Sequence, residues 1–239
     1  MGTYKQLGRA ISVSVSIQPS NMSVLYKCNA SAPSRAVLMT IEILKITDKL
    51  QYADVNPMLG ENRKPEFLKK NPLHTVPVLD DEGFIICDSH VIMTYLTSKF
   101  APQSSLYPSD LKIKSIVDQR MYFESTCMTP KIISGVDSLK KGLKELTEEQ
   151  IAALKEVYSV LDKYLEQTPF LVTDHVTLAD VSCISSLASL NLFLPIPQEF
   201  INLRLWYNRL EKEDWFQKIN APGVKSFGEK LDELKSQSG

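Results

Sequence analysis

The stretch Asn71-Pro-Leu-His-Thr-Val-Pro-Val-Leu-Asp-Asp-Glu-Gly-Phe-Ile-Ile-Cys-Asp-Ser-His90, continuing into Val91-Ile-Met-Thr-Tyr-Leu96, carries a hairpin and a helix start in one run. Val76, Val78 and Leu79 around Pro77 read as a short strand. Asp80-Asp-Glu-Gly83 supplies turn chemistry, and Phe84-Ile-Ile86 reads as the second strand. Ser89 stands where an N-cap belongs, and Val91, Ile92, Tyr95 and Leu96 repeat behind it at helical spacing. Pro77 removes a ladder donor, so it marks a strand end, an edge or a cis bond. The backbone group freed there lets Val76 pair with an extended, peptide-like ligand. The start of the next helix, with unpaired N–H groups, suits a carboxylate, and Asp88 beside it suits an ammonium group.

Upstream, Val24-Leu-Tyr26 reads as a buried strand, and Ala32 to about Lys45 as a helix with Pro33 early, where its missing donor costs little. Val37, Leu38, Ile41 and Leu44 form the inner face of that helix. Leu50 to Val55 is the next strand, followed by a loop or short helix over Arg63 to Lys70. The order is β-α-β followed by β-β-α, which predicts a thioredoxin-like domain over residues 22–102. Residues 1–21 contain Lys5 and Arg9 and few acidic groups, a faint organellar-leader pattern. We read them as an N-terminal extension, disordered or an alternative start.

The polar, Pro-bounded segment 103–109 reads as a linker. Residues 110–239 show only helical pattern, so an all-α domain follows the α/β one. Ile113, Ile116, Val117 and Met121 mark one helix. The capping box Thr147-Glu-Glu-Gln150 opens another, with Ile151, Leu154, Val157, Tyr158, Leu161 and Leu165 on one face. Thr177-Leu-Ala-Asp180 opens a third, Val181 to Leu194. It is apolar or small all round and therefore central to the bundle.

The composition is that of a globular chain: 239 residues with a formal net charge of −1. No apolar run reaches the roughly 18 residues of a membrane span, and Lys and Arg are too evenly spread for a nucleic-acid footprint. Cys28, Cys87, Cys127 and Cys183 form no Cys-x-x-Cys pair, which points to reduced thiols in a reducing compartment. The three histidines are too dispersed for a metal site.

Ser31-Ala-Pro-Ser34 lies at the junction of the first strand and first helix. There, thioredoxin-like oxidoreductases carry Cys-x-x-Cys, because a helix N-terminus stabilises a thiolate. With serine at both ends, the redox pair is missing, but a hydroxyl stands where a ligand's sulfur would lie. Asn-Pro-x-His-Thr-Val-Pro followed by Asp-Ser-His-x-Ile resembles the glutathione-binding half of cytosolic glutathione transferases, closest to the insect epsilon class within the delta/epsilon group. The resemblance covers residues 22 to 220, and its N-terminal motifs are the stronger part.

The resemblance implies a cis Val76-Pro77 bond. It also implies that the Val76 backbone pairs with the cysteinyl part of glutathione and that Asp88 and Ser89 grip its γ-glutamyl end. Ser31 becomes the catalytic serine, a hydrogen-bond donor to the thiolate. An ordinary thiol titrating near about 8.5 is about 3% ionised at pH 7, and a two-unit fall needs about 2.7 kcal/mol. One hydroxyl bond to a charged acceptor, roughly 1.5–3 kcal/mol, plus a helix terminus at about 0.3–1, covers this. The alternatives are that Ser31 only caps the helix, or that Cys28 acts in a glutaredoxin-like way. Cys28, three residues upstream of Ser31, is out of register with the helix dipole.

By the same resemblance His74 contacts the glycyl end of glutathione, with Thr75 and Pro77 beside it, and His90 assists the same carboxylate. Asn62 stands where relatives usually carry a second glycyl-end histidine, so weaker or differently arranged binding is expected there. Asp88 is one methylene shorter than the commoner Glu. Met128, Thr129, Ile132 and Ile133 are expected to wall a hydrophobic-substrate cleft, or else to be bundle core. The implied activity is conjugation of glutathione, as co-substrate and without a metal, to apolar electrophiles. Xenobiotic and insecticide detoxification by a cytoplasmic homodimer follows, with no nucleic-acid or membrane partner. A hydrophobic-ligand or hormone carrier on the same fold, and a glutathione-dependent peroxidase or isomerase, remain the alternatives.

Overall fold

The computed structural model describes residues 22–237, so the extension read over residues 1–21 lies outside it. Its first half runs β1 (Ser23–Lys27), α1 (Ala32–Ile43), β2 (Leu50–Asp54), α2 (Pro65–Leu68), β3 (Val78–Asp81), β4 (Phe84–Cys87) and α3 (Ser89–Phe100). The sheet order is β2-β1-β3-β4, with β1 parallel to β2 and the other two pairs antiparallel. This is the thioredoxin-like arrangement of β-α-β and β-β-α.

Successive residues of a strand face opposite sides, and the two faces are covered differently. Leu25 and Leu79 pack with Val37, Ile41, Ile92 and Leu96 of α1 and α3. Tyr26 and Val78 face the other way, onto Phe67 of α2 and Val55. The ladder starts at Val78, which pairs with Cys87, so Val76 and Pro77 stand just outside the strand expected to include them. The Val76-Pro77 bond is cis. Two helix boundaries also differ from the sequence reading. Residue Lys45 has φ 56°, so α1 stops at Ile43. The cap of α3 is Asp88, whose carboxylate accepts from His90 N and Val91 N, and Ser89 is the first helical residue.

The second half is all helical: α4 (Leu111–Phe123), α5 (Thr129–Lys140), α6 (Glu148–Tyr164), α7 (Leu178–Leu190), α8 (Ile201–Leu210) and α9 (Ala221–Gln237). A π turn over Glu124–Met128 joins α4 to α5, and another over Phe216–Asn220 leads into α9. Each is followed two residues later by a proline, Pro130 and Pro222. A proline cannot donate to the carbonyl four residues back, and widening the preceding turn lets the helix continue past it.

Both expected capping boxes are present. Thr147 Oγ1 accepts from Gln150 N while Gln150 Oε1 accepts from Thr147 N. Asp180 accepts from Thr177 N and also from Leu171 N and Trp206 Nε1, tying three segments together. Every residue of α7 is buried, as its lack of a polar face requires. It ends at Leu190, earlier than the apolar run suggests. Its serines are not idle: Ser185 Oγ donates to the Ala32 carbonyl at 2.6 Å, joining α7 to the N-terminus of α1. No described helix is long and apolar enough to cross a membrane.

Candidate active site at the domain seam

Ser31 is the N-cap of α1, with φ −78° and ψ 121°; its Oγ accepts from Ser34 N at 3.4 Å. A hydroxyl that accepts still has its own proton to donate. Half-buried at the end of a helix, it aims that donor where the dipole favours negative charge. Ser34 Oγ in turn accepts from Cys28 N at 3.3 Å, which closes the turn between β1 and α1.

A cleft of about 160 Å³ opens between the two halves. Pro33, Thr75, Val76, Pro77, Asp88, Ser89 and His90 line one wall, and Glu124, Ser125 and Thr129 the other. The larger cavity between α5 and α6, about 410 Å³, shares none of these residues. Asp88 sits at φ 82° and uses Oδ1 for both helix caps, at 2.9 and 3.2 Å. Its side chain is 54% exposed, which leaves Oδ2 open to a cation.

Other candidates are placed differently from the expectation. Asn62 is buried, and its Nδ2 donates to the His74 carbonyl at 2.5 Å, with Oδ1 unpartnered. It braces the loop carrying His74, where φ is 48°, and neither residue lines the cleft. Of the four hydrophobic-substrate candidates only Thr129 lines it; Met128 is sealed in the core, Ile132 is packed against that core and Ile133 is 55% exposed.

His90 lines the cleft but is committed elsewhere. Its Nε2 lies 2.9 Å from Glu124 Oε2 and 2.7 Å from Ser182 Oγ. Glu124 Oε1 accepts from Thr129 Oγ1 at 2.6 Å and from Ser186 Oγ. Burial would pull the His90 imidazole down, but its hydrogen bond to Glu124 and the charges of Glu124 and Asp88 outweigh this, so it titrates above its ordinary value. These bonds make His90 a link between α3, the π turn and α7. Sequence reasoning missed Glu124 in this role. Its signal was the buried stripe Val117, Met121, Glu124, Met128, in which a carboxylate interrupts apolar positions at helical spacing.

Profiles of the glutathione S-transferase N-terminal and C-terminal domains match residues 25–104 and 116–214. The chain belongs to the glutathione S-transferase family. It is 39% identical over 202 residues to glutathione S-transferase 1 of Manduca sexta, covering 83% of this chain and 92% of that relative. An epsilon-class glutathione S-transferase from the housefly, Musca domestica, is 35% identical with a TM-score of 0.84, covering 89% of this chain and 98% of its own. A glutathione transferase homologue from Drosophila mojavensis, solved with bound glutathione, is 36% identical with a TM-score of 0.83, over 89% and 97% of the two chains. The transferase thus falls in the insect delta/epsilon group, and its two-part fold is that of the group.

Proposed function

We propose that this transferase binds glutathione in the seam cleft, ionises its thiol against Ser31, and conjugates it to apolar electrophiles in detoxification. The observation that carries this reading is that Val76, whose main chain lies outside its ladder, and the Asp88 carboxylate line one wall of the cleft together with Pro33, two residues past the Ser31 hydroxyl at the N-terminus of α1. Glutathione is a zwitterionic peptide, and Val76, Asp88 and Ser31 match its cysteinyl main chain, its ammonium group and its thiol. The bound glutathione of the Drosophila mojavensis homologue supports the same ligand here.

In the reaction the thiol proton leaves to solvent and the Ser31 hydroxyl donates to the sulfur. The thiolate lone pair then forms the carbon–sulfur bond as the leaving group departs with its electrons. Thr129 lines the same cleft, on the side where the apolar partner would enter in this reading. The working form in this reading is a cytoplasmic homodimer. Val91, Ile113, Ile116 and Tyr122 leave apolar surface exposed on α3 and α4, beside a cavity of about 250 Å³. Sedimentation tests the dimer.

The test of catalysis is conjugation to an aryl halide by wild type and Ser31→Ala, from about pH 6 to 9, with glutathione binding measured in parallel. Loss of rate at neutral pH with binding retained is the expected result. A Ser31→Ala enzyme as fast as wild type would overturn it.

A further inference from the structure

Arg35 is completely buried, yet none of its hydrogen-bond partners is a carboxylate. Its Nε donates to Asn220 Oδ1 at 2.7 Å and Nη1 to the Ala30 carbonyl at 2.8 Å. Its Nη2 donates to the Ser185 carbonyl at 2.9 Å and Ser189 Oγ at 2.5 Å. A buried cation without a counter-charge is costly. Burial pulls the guanidinium down to about 9, opposed by Cys28 and Tyr207, so it stays charged at neutral pH.

Asn220 sharpens the puzzle. It too is completely buried, and its Nδ2 has no partner. Aspartate has the same shape, would accept from Arg35 Nε through a charged oxygen, and would remove the orphaned donor. The acid would give Arg35 a counter-charge and a charge-assisted hydrogen bond. With the neutral amide, a positive charge stays uncancelled one peptide unit from Ser31.

That peptide is held at both ends: the Ala30 carbonyl by Arg35, and the Ser31 N–H by the Cys28 carbonyl at 3.0 Å. The start of α9 presses on the same loop. A Cβ on Gly223 would lie 2.5 Å from the Asn29 carbonyl oxygen and 2.3 Å from Arg35 Cδ.

We propose that Arg35 is a positioning residue for Ser31 that also supplies a buried positive charge beneath the glutathione thiolate, and that Asn220 is neutral so that this charge is not quenched. The inference rests on the transferase reading of Ser31. Charge–charge interaction in a dry interior needs no contact to matter, and here it adds to the helix terminus. The titratable groups that face Arg35 are Cys28 and Tyr207.

Asn220→Asp is the decisive variant, because it keeps the hydrogen bonds of Arg35 and adds only the counter-charge. Its Tm should equal or exceed that of wild type. The thiol of bound glutathione, followed by thiolate ultraviolet absorbance, should titrate about 0.5–1 unit higher, with kcat near neutral pH falling about three- to tenfold and KM for glutathione nearly unchanged. Arg35→Lys, which keeps the charge but not the fork, should hold the thiol near its wild-type titration while losing rate through a less fixed Ser31. An unchanged thiol titration in Asn220→Asp would overturn the inference and leave Arg35 as a structural tie. Wild type that binds glutathione without ionising it would instead remove the Ser31 reading beneath.

Discussion

The Nε2 of His90 lies 2.9 Å from Oε2 of Glu124, and this pair closes the seam between the sheet domain and the helical domain. Both residues are buried; Ser182 Oγ shares the His90 Nε2, and Thr129 and Ser186 donate to the other Glu124 oxygen, Oε1. Removing one member of such a pair leaves the other as an uncompensated buried group, which costs about 3–5 kcal/mol where a charge remains. His90→Gln, which strands the Glu124 carboxylate, should therefore lose more stability in chemical denaturation than Glu124→Gln. The double variant should cost less than the sum of the two.

The same pair sets a pH dependence. His90 titrates higher in the folded protein than in the unfolded chain, so the folded state binds the proton more tightly. The stabilisation is complete below the ordinary histidine value of about 6.5 and is lost as pH rises through the raised folded value. Wild-type stability minus that of Glu124→Gln, measured across this range, should shrink as pH rises. A difference that is flat with pH would show that His90 is neutral throughout.

Gly135 on α5 leaves no room for a side chain. A Cβ there would fall 2.8 Å from Cε1 of Phe193, whose ring stacks edge-on against Phe227. Gly135→Ala should raise helix propensity locally yet lower Tm, because overpacking of this kind costs about 1–3 kcal/mol. The paired change Phe193→Leu should recover part of that loss.

Local chemistry was legible in the sequence, and distant partnership was not. The two capping boxes, the hairpin and the buried α7 follow from spacing and turn residues alone. The candidates along Thr75 to Ser89 were also readable, because the chain itself brings them to one sheet end. The ties of Arg35 to Ser185 and Ser189, and of His90 to Ser182, join residues about 90 or more positions apart. Nothing local in a small, apolar-looking α7 tells its serines from packing residues. Asn62 reads as a ligand contact because its amide can bond a carboxylate; a main-chain carbonyl at His74 uses that donor instead. The choice of Asp88 over Ser89 as cap is decided by φ 82°, a backbone angle that a cap-residue preference does not reveal.

Asp88 has two duties that one substitution can separate. Its Oδ1 caps α3, and in the proposed reading its open carboxylate oxygen holds the ammonium group of glutathione. Asn is an equally good cap and tolerates positive φ, so Asp88→Asn should leave Tm nearly unchanged. It removes the charge facing the ammonium, and a charged hydrogen bond of this kind contributes about 1.5–3 kcal/mol. The KM for glutathione should then rise about tenfold or more, with a smaller change in kcat, since the thiol is held elsewhere. Asp88→Ala should add a loss of about 0.5–2 kcal/mol of stability from the missing cap. If Asp88→Asn binds glutathione as tightly as wild type in calorimetry, the carboxylate is a helix cap alone and the ammonium group must be held by another residue.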